Sequence, residues 1–314
     1  MKEYQKLNII LGWIVFSIAS SVYLLTIEST VSFWDCGEYI AAAYKLLVGH
    51  PPGAPFFQMI GRMFTMFTPP DMAAKMINIM SALCSSFTIL FLFWTITALA
   101  KLMMLKSGKV EMTKDVSFAI LASGLVGALA YTFSDSFWFS AVEGEVYSMS
   151  ALFTAATFWA IFKWESVADE KHADRWIVLI AYLLGLSIGV HLLGLLTIPA
   201  LAFVYYFRKY KVTRKGLVIT SVVSVMVLFV VQYVIIQGIV KLASKFELFF
   251  VNGLGGPFGS GLIVYALLII AGVVWLLNWS WKNNRPVLNT AVLCFTMILI
   301  GYSSYGMIVI RSSA

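Results

Sequence analysis

The segment NIILGWIVFSIASSVYLLTIESTVSFWDCGEYIAAAYKLLVGHPPGAP (residues 8–55) determines the class of this protein. Its first part, residues 8–27, is an apolar run long enough to cross a hydrocarbon core of about 30 Å. The run is too long for a signal-peptide core and lacks a convincing cleavage site, so we interpret it as a retained helix. In residues 34–55, charged, aromatic, His, Pro and Gly residues crowd together. We expect this part to carry the chemistry and the remaining helices to hold it in place.

The composition predicts an all-α polytopic membrane protein. Of the 314 residues, 61% are hydrophobic and 12% are charged, whereas a soluble domain carries about 25% charged residues. The net charge of +7 does not indicate a nucleic-acid partner, because the basic residues sit in short clusters between apolar runs. We predict nine membrane spans, at about residues 8–27, 77–100, 117–134, 144–162, 176–190, 192–207, 217–240, 261–279 and 287–306.

Two of these spans come from one apolar run, residues 176–207, which is too long for a single ordinary span. Gly185, Gly189 and Gly194 punctuate its middle, so we expect two short helices that turn near His191. The basic residues support this division. With the N-terminus inside, the inside segments hold 16 Lys and Arg residues, Lys106 and Lys109 among them, and the outside segments hold six.

This orientation places both long predicted loops, 28–76 and 241–260, on the outside. Residues 34–48 and 55–67 of the first loop are predicted to form two amphipathic helices at the membrane surface, apolar side down. Their predicted apolar faces are Ile40, Ala43, Tyr44 and Leu47, then Phe56, Ile60, Met63, Phe64 and Phe67. Their predicted polar faces are Asp35, Glu38, Ala42 and Lys45, then Gln58, Arg62 and Thr65. Between them, the sequence HPPG (50–53) predicts a rigid turn.

An Asp-x-x-Glu pair after the first span, followed by HPPGAP, resembles a bacterial family of polytopic proteins related to animal transmembrane protein O-mannosyltransferases. Further similar segments are FSDSFWFSAVEGEVYSMSALF (133–153), GLSIGVHLLGL (185–195), FVNGLGGPFGSG (250–261) and GYSSYGMIVIRSSA (301–314). The resemblance implies a GT-C glycosyltransferase fold in the bacterial inner membrane. It also implies sugar transfer, with mannose as the expected sugar, from a polyprenyl-phosphate donor to an outer-face acceptor such as Ser or Thr of a protein. In that family the last segment usually continues into a further extracytoplasmic loop. We therefore expect one transmembrane domain over 1–314, truncated before such a region.

GT-C enzymes use an Asp or Glu of the first outer loop as catalytic base, and Asp35 matches that position, with Glu38 as the close alternative. A carboxylate there could equally cap the helix that follows it. For the donor phosphate the candidates are His50, Arg62, His191 and Arg311, each of which has a purely structural alternative. For an isolated Arg such as Arg62, the ordinary alternative is a side chain that extends along the membrane interface.

Glu143 and Tyr147, at the outer start of the fourth span, are candidates for acceptor binding or support. Glu145 is two residues from Glu143, so on a helix the two would point to different sides, and we expect at most one to face the site. Carboxylates at a helix N-terminus are the structural alternative.

The residue spacing contains no His-x-x-x-His or tight Asp-x-Asp, so we predict no obligatory metal, although a divalent metal is possible. Cys36, Cys84 and Cys294 have neither disulfide nor metal-ligand spacing. The expected partners are the sugar donor, an acceptor protein or glycan and membrane lipids. Three alternatives stay open: transfer to a lipid or glycan acceptor, a secondary transporter and a non-catalytic membrane scaffold. Most charges sit at span ends rather than at the midplane, which argues against transport.

Overall fold

The computed structural model describes residues 2–105 and 111–312, which form helices and no strand. Lys106 and Lys109, counted above for the inside face, lie outside the described residues. In chain order the α-helices are α1 (Lys2–Leu25), α2 (Cys36–Lys45), α3 (Pro55–Thr65), α4 (Ala73–Leu105), α5 (Lys114–Thr132), α6 (Asp135–Val142), α7 (Val146–Val167), α8 (Arg175–Ile188), α9 (Ile198–Lys209), α10 (Arg214–Phe229), α11 (Ile239–Leu248), α12 (Ser260–Lys282), α13 (Pro286–Tyr302) and α14 (Gly306–Ser312). Short 3-10 helices (Pro70–Met72, Leu192–Thr197, Ser303–Tyr305) and π-helical segments (Val230–Gly238, Phe249–Gly253) join some of them.

Helices lie at all nine predicted span positions, but seven helical segments of the described residues, not nine, are long and apolar enough to cross a membrane. The other two predicted spans are α7 and α8. The 22-residue α7 is long enough but less apolar, and it packs in the middle of the bundle against α4 and α8. The 14-residue α8 spans only about 21 Å. The chain is an all-α, multi-pass membrane protein.

The segments predicted to lie outside meet at one end of the bundle. The Glu28 N–H donates to the Val142 carbonyl (3.1 Å), and the Phe56 N–H donates to the Gly189 carbonyl (2.8 Å). At the opposite end, Arg208 forms ion pairs with Glu165 and Asp169. The loops therefore lie at the two ends of the bundle in the arrangement predicted from the Lys and Arg counts. Which end faces the cytoplasm stays a prediction.

The chain breaks at His191, as the glycine pattern predicted. Helix α8 ends at Ile188, His191 is extended (φ −160°), and a 3-10 helix begins at Leu192. A close crossing of α8 with α13 fixes the position of this break. At that crossing a Cβ on Gly301 would lie 2.5 Å from the Gly185 carbonyl carbon, so only a residue without a side chain fits.

We expect Gly301→Ala to destabilise the protein by about 1–3 kcal/mol, because its methyl group meets backbone that cannot move away cheaply. Gly272→Ala in α12 is the matched control, since a Cβ there meets nothing within 4 Å. Alanine also favours a helix over glycine, so the control should be neutral or slightly stabilising. Thermal unfolding midpoints of both variants in one detergent measure the difference, and equal midpoints would refute the close crossing.

Residues 241–253, predicted as outer loop, are helical instead. Helix α10 continues through Val230–Gly238 and α11 to Gly253, and the turn covers only residues 254–259. The Glu247 carboxylate accepts hydrogen bonds from the N–H groups of Gly259 (2.6 Å) and Leu262 (2.9 Å). It thereby satisfies donors at the N-terminus of α12. The Gly-rich sequence signalled a loop, but its glycines are needed only in the short turn, where Gly255 and Gly259 have positive φ.

In the first outer segment the two amphipathic helices exist, with shorter bounds than predicted. In α2 the predicted apolar face packs inward through Ile40 and Ala43, but Ala42, assigned to the polar face, is also buried. In α3 the prediction is confirmed only in part, because Phe56, Ile60 and Phe64 of the predicted apolar face pack inward but the predicted polar face is buried too. The buried side includes Gln58, Gly61 and Thr65, while Met63 and Phe67 of the predicted apolar face are exposed.

The burial of the predicted polar face of α3 has a packing cause. A Cβ on Gly61 would lie 2.7 Å from Ile77 of α4 and 2.9 Å from Ala43 of α2, so α3 approaches both helices along its small-residue side. Of its large apolar residues, Phe57 is fully buried, Phe56, Ile60 and Phe64 pack against the same buried cluster, and Met63 is exposed. Polarity alone could not distinguish a helix lying on a membrane from one packed on other helices.

Candidate active site

The first component of the site is the Asp35 carboxylate at the N-terminus of α2. Asp35 occupies the N-cap position, its side chain makes no capping hydrogen bond, and the residue is exposed. The dipole of α2 favours a negative charge there. Before it, Trp34 has a positive φ (60°) and is 89% exposed, which turns the chain into the helix and presents an aromatic ring outward. Asp35 is therefore an ionisable group next to a surface suited to the membrane interface.

The second component is an ion pair between Glu38 and His50, one turn along α2. Glu38 Oε1 accepts the His50 backbone N–H (2.6 Å), and Glu38 Oε2 lies 3.0 Å from His50 Nδ1. Both hydrogen bonds lower the pKa of Glu38, the backbone one most. The side-chain bond to Glu38 raises the pKa of His50 above its ordinary value. The pair joins α2 to the HPPG turn, and Gly53 closes this turn with a hydrogen bond from its N–H to the His50 carbonyl (2.8 Å).

We expect His50 to titrate above the ordinary histidine pKa of about 6.5, and Glu38→Gln to return it towards that value. A raised pKa means that the contribution of His50 to stability is complete below its unfolded-state pKa and is lost as pH rises through the folded-state pKa. The contribution of Glu38 has the opposite sign and is lost as pH falls through its lowered pKa. The chain has three His, so NMR titration of labelled histidines can resolve each one. A His50 pKa unaffected by Glu38→Gln would contradict the pairing.

The third component is a pair of buried carboxylates, Glu143 and Glu145, between α6 and α7. They are 5% and 6% exposed. Glu145 Oε2 accepts the Val146 N–H (3.1 Å) and so caps α7, whereas Glu143 Oε2 has no hydrogen-bond partner. Burial, and then the charges of Glu143 and Asp35, raise the pKa of Glu145 to about 7. Burial and the two glutamates also raise the pKa of the Cys36 thiol, at the start of α2, to about 12.

This pair corrects the expectation that at most one of the two glutamates faces the site. Both residues are extended, with ψ of 158° and 154°, and are not in a helix. In an extended chain residues i and i+2 point to the same side. Glu145 was therefore missed as a site residue because the helix was assumed to begin earlier. Gly144, between the two glutamates, was the sequence feature that could have indicated that the helix begins later. In the structure a Cβ on Gly144 would lie 2.9 Å from Asn78 Oδ1.

Tyr39 connects these components to the fourth, which is Tyr147 with His191. The Tyr39 ring lies 5.7 Å from the His50 ring, and burial, followed by the charges of Glu145, Asp35, Glu38 and Tyr147, raises the pKa of its hydroxyl. The Tyr147 ring in turn lies 5.6 Å from His191, whose Nδ1 accepts the Leu193 N–H (3.2 Å). The structure thus brings the catalytic, histidine and supporting candidates into one continuous cluster. Tyr39, at its centre, was not singled out from the sequence.

The two arginine candidates lie at the other end of α2. Arg62 Nη1 donates to the Tyr44 carbonyl (2.6 Å), and Arg311 Nε donates to the Leu46 carbonyl (2.8 Å). Helix α2 has 10 residues, so these guanidinium groups are about 15 Å along the helix from Asp35. Positive groups are stabilising at a helix C-terminus, and in the structure both arginines hold α2. Phosphate binding by either arginine stays a prediction.

An apolar groove of about 720 Å³ leads away from this cluster into the bundle. Tyr147 and Leu193 line its end near the site, and Phe158 lines it three turns further along α7, about 17 Å away. A smaller groove of about 480 Å³ lies on the other side of Leu193, with His191 in its wall. Among residues 2–105 and 111–312, no group of three or more His, Cys, Asp or Glu side chains is placed to hold a metal ion, and metal dependence stays a prediction.

Comparison with known proteins gives one family. The family model described as the Protein O-mannosyl-transferase TMEM260 N-terminal domain matches residues 35–214, which contain all the site candidates except Arg311. The chain is 26% identical to Protein O-mannosyl-transferase TMEM260 from Mus musculus over 174 residues, a match covering 55% of this chain and 22% of the mouse protein. It is 29% identical over 144 residues to the Dictyostelium discoideum protein with the same descriptive name, covering 45% of this chain and 15% of that protein. The matches therefore span less than a quarter of either relative. No solved structure matches the chain.

Proposed function

Because the chain belongs to the Protein O-mannosyl-transferase TMEM260 N-terminal domain family, we propose that it is the membrane domain of a glycosyltransferase. The proposed reaction moves a sugar from a polyprenyl-phosphate donor to a hydroxyl group of an acceptor, with mannose as the sugar and Ser or Thr of a protein as the acceptor. The names of the two relatives support the sugar and the O-linked product. The donor class is supported by the apolar groove beside the site and by the GT-C resemblance.

The observation that carries the proposal is the position of the charged cluster at the mouth of an apolar groove. Tyr147 belongs to both, because its ring lies 5.6 Å from that of His191 in the cluster and its side chain lines the groove. A polyprenyl-linked sugar has the matching shape, with a long apolar chain attached to a charged phosphate. A groove of about 720 Å³ is large enough for several isoprene units. The donor would lie with its chain in the groove and its phosphate next to the cluster.

In the proposed reaction Asp35 is the general base. The acceptor oxygen bonds to the anomeric carbon of the sugar as its proton passes to the Asp35 carboxylate. The bond from that carbon to the phosphate oxygen breaks, and its electron pair leaves with the polyprenyl phosphate. Asp35 suits this role because it is exposed and makes no capping hydrogen bond. Glu38 is engaged by His50, so it is less available as a base.

His50 is proposed to stabilise the departing phosphate. Its pKa is raised by Glu38, and Asp35 and Glu145 add to the effect, so a larger fraction of its imidazole carries a positive charge near neutral pH. A positive charge placed where negative charge develops favours the transition state. His191, beside Tyr147, is the second candidate for this contact. The buried Glu143 and Glu145 are proposed to hold α2 and the acceptor side of the site.

We place the cluster on the extracytoplasmic face of a bacterial inner membrane, with the N-terminus inside. The excess of Lys and Arg at the opposite end of the bundle supports this orientation. Polyprenyl-phosphate sugars presented at that face would then be within reach of acceptors on the outer side of that membrane.

The proposed function is tested by offering the protein in nanodiscs a set of polyprenyl-phosphate sugars with three acceptor classes: Ser/Thr peptides, oligosaccharides and lipids. Mass spectrometry of each acceptor identifies the product. We expect mannose on the hydroxyl of Ser or Thr. A product on an oligosaccharide or lipid alone would support a glycosyltransferase but would show that its acceptor is not a protein. If folded protein forms no product with any combination of donor and acceptor, the result would favour a transporter or a non-catalytic scaffold.

A further inference from the structure

Two lysines that form no ion pair with any described residue lie at the end of the bundle opposite the candidate site. Lys101 Nζ lies 5.8 Å from the ring centre of Tyr4 in α1, and Lys163 Nζ lies 5.7 Å from that of Trp159 in α7. Lys101 and Lys163 each lie one turn before the ends of α4 and α7, two helices that pack against each other, so their positive charges repel each other. Among the described residues neither forms an ion pair, whereas their neighbours Arg208 and Lys209 are paired with Asp169. The described part of the chain therefore holds two like charges near each other and places no counter-charge between them.

A wall of aromatic rings continues from these lysines towards the middle of the bundle. The Trp159 ring lies 6.2 Å from Trp94, 5.1 Å from Phe91 and 5.6 Å from Trp176, and all four side chains are partly exposed. Phe91 precedes Lys101 by ten residues of α4, so the wall extends about 15 Å from the level of the charges. The lysines thus stand at one end of a surface that is apolar along its length.

We propose that this surface, formed by Lys101, Lys163, Trp94, Trp159 and Phe91, is a binding site for an anionic phospholipid. The phosphate would lie between the two ammonium groups, and an acyl chain would lie along the aromatic wall. Like charges held together are destabilising unless an anion lies between them, and the headgroup supplies one. Basic pockets between membrane helices on the cytoplasmic side are suited to anionic headgroups. Lysines that merely extend to water would need neither a like-charged neighbour nor the aromatic wall.

The distance from the candidate active site makes this lipid distinct from the proposed sugar donor. Lys101 and Asn78 are 23 residues apart on α4, about 35 Å, and Asn78 lies beside the Glu143–Glu145 segment. The site belongs to the opposite leaflet. Its test needs no enzymatic activity, so it can fail or succeed independently of the proposed function.

The test is native mass spectrometry of the protein titrated with phosphatidylglycerol or phosphatidylcholine. We expect the wild type to retain phosphatidylglycerol preferentially, and Lys101→Gln/Lys163→Gln to bind it about 30-fold more weakly. The matched control is Lys211→Gln/Lys215→Gln, which removes two exposed lysines from the same end of the bundle. This control should keep nearly all the binding. Lys101→Arg/Lys163→Arg, which keeps both charges, should keep it too.

Equal losses in the two glutamine variants would show general charge attraction and overturn the site, as would an unchanged affinity in Lys101→Gln/Lys163→Gln. If Lys101→Gln/Lys163→Gln does not fold, brominated lipids provide a second measurement that uses the wild-type protein. In the wild type, brominated phosphatidylglycerol should quench tryptophan fluorescence more than brominated phosphatidylcholine, and Trp159→Phe should reduce this difference. Equal quenching by the two lipids in the wild type would also overturn the proposal.

Discussion

Asp35→Asn should reduce sugar transfer by about 10²–10⁴-fold, the usual range for loss of a general base. Asparagine keeps the size and the N-cap preference of aspartate, so α2 should remain intact. The Asp35 side chain makes no capping hydrogen bond in the wild type, so none is lost on substitution. Donor binding should therefore persist while turnover falls. The measurement is the rate of product formation at saturating donor, together with donor affinity and the thermal unfolding midpoint.

The matched control is Asp135→Asn, in the first turn of α6 near the same end of the bundle, which also neutralises an exposed carboxylate. We expect it to transfer sugar at nearly the wild-type rate. Glu38→Gln breaks the ion pair with His50 and should have an intermediate effect through the HPPG turn. Undiminished transfer by Asp35→Asn would remove Asp35 from the role of base, and a greater loss in Glu38→Gln would assign the role to Glu38.

Ala151→Trp should reduce kcat/KM for a long-chain polyprenyl donor by about 100-fold. Ala151 lines the groove beside α7, one turn from Tyr147, and a tryptophan there would fill space that the isoprene chain is proposed to occupy. Excluding even a few methylene groups from an apolar site costs about 0.8 kcal/mol each, so a loss near 2.7 kcal/mol, or 100-fold, is reached quickly. A short-chain donor that ends before Ala151 should lose much less.

The comparison of chain lengths separates a blocked groove from a damaged protein. Leu196→Trp, which narrows the smaller groove beyond Leu193, is the matched control and should leave both donors little affected. If Leu196→Trp discriminates against the long donor and Ala151→Trp does not, the donor chain lies in the smaller groove. Equal losses with long and short donors in Ala151→Trp would contradict a lipid role for the larger groove.

The helical elements could be predicted because each leaves a strong local signal. Apolar runs of membrane length marked the long helices, and the glycines around His191 marked the break that the structure shows between Ile188 and Leu192. Polar side chains that cap helix N-termini can also be recognised in the sequence. Thr113 and Thr213, for example, accept hydrogen bonds from the first turns of α5 and α10.

The orientation of faces could not be predicted where packing opposes polarity. In α3 the side bearing Gln58 and Thr65 is buried because Gly61 allows close contact with α4, and a hydrophobicity pattern contains no information about that contact. Mean apolarity does not identify α7 as a span for a related reason. Ten of its 22 residues are buried against the rest of the bundle, so α7 has less apolar surface than a helix that faces lipid on most sides.

The site was predicted in part, since its residue types were recognisable but their geometry was not. Asp35, Glu38 and His50 come from one continuous segment, and the structure keeps them together. Glu145 was missed because the backbone is extended at positions 143 and 145, and one residue of helix boundary decides which way a side chain points. The contacts of Arg62 and Arg311 with carbonyls of α2 join segments as distant as 265 residues, which no local pattern reveals.

A single-turnover experiment with donor-loaded protein tests whether this site transfers a sugar with Asp35 as the base. The protein in nanodiscs is saturated with polyprenyl-phosphate mannose, freed of excess donor and mixed with a Ser/Thr peptide, and both products are quantified by mass spectrometry. We expect each bound donor to yield one mannosylated peptide and one polyprenyl phosphate, and the rate of this turnover to fall steeply in Asp35→Asn. Donor that stays bound and intact in folded wild-type protein, with every acceptor class offered, would contradict a transferase at this site.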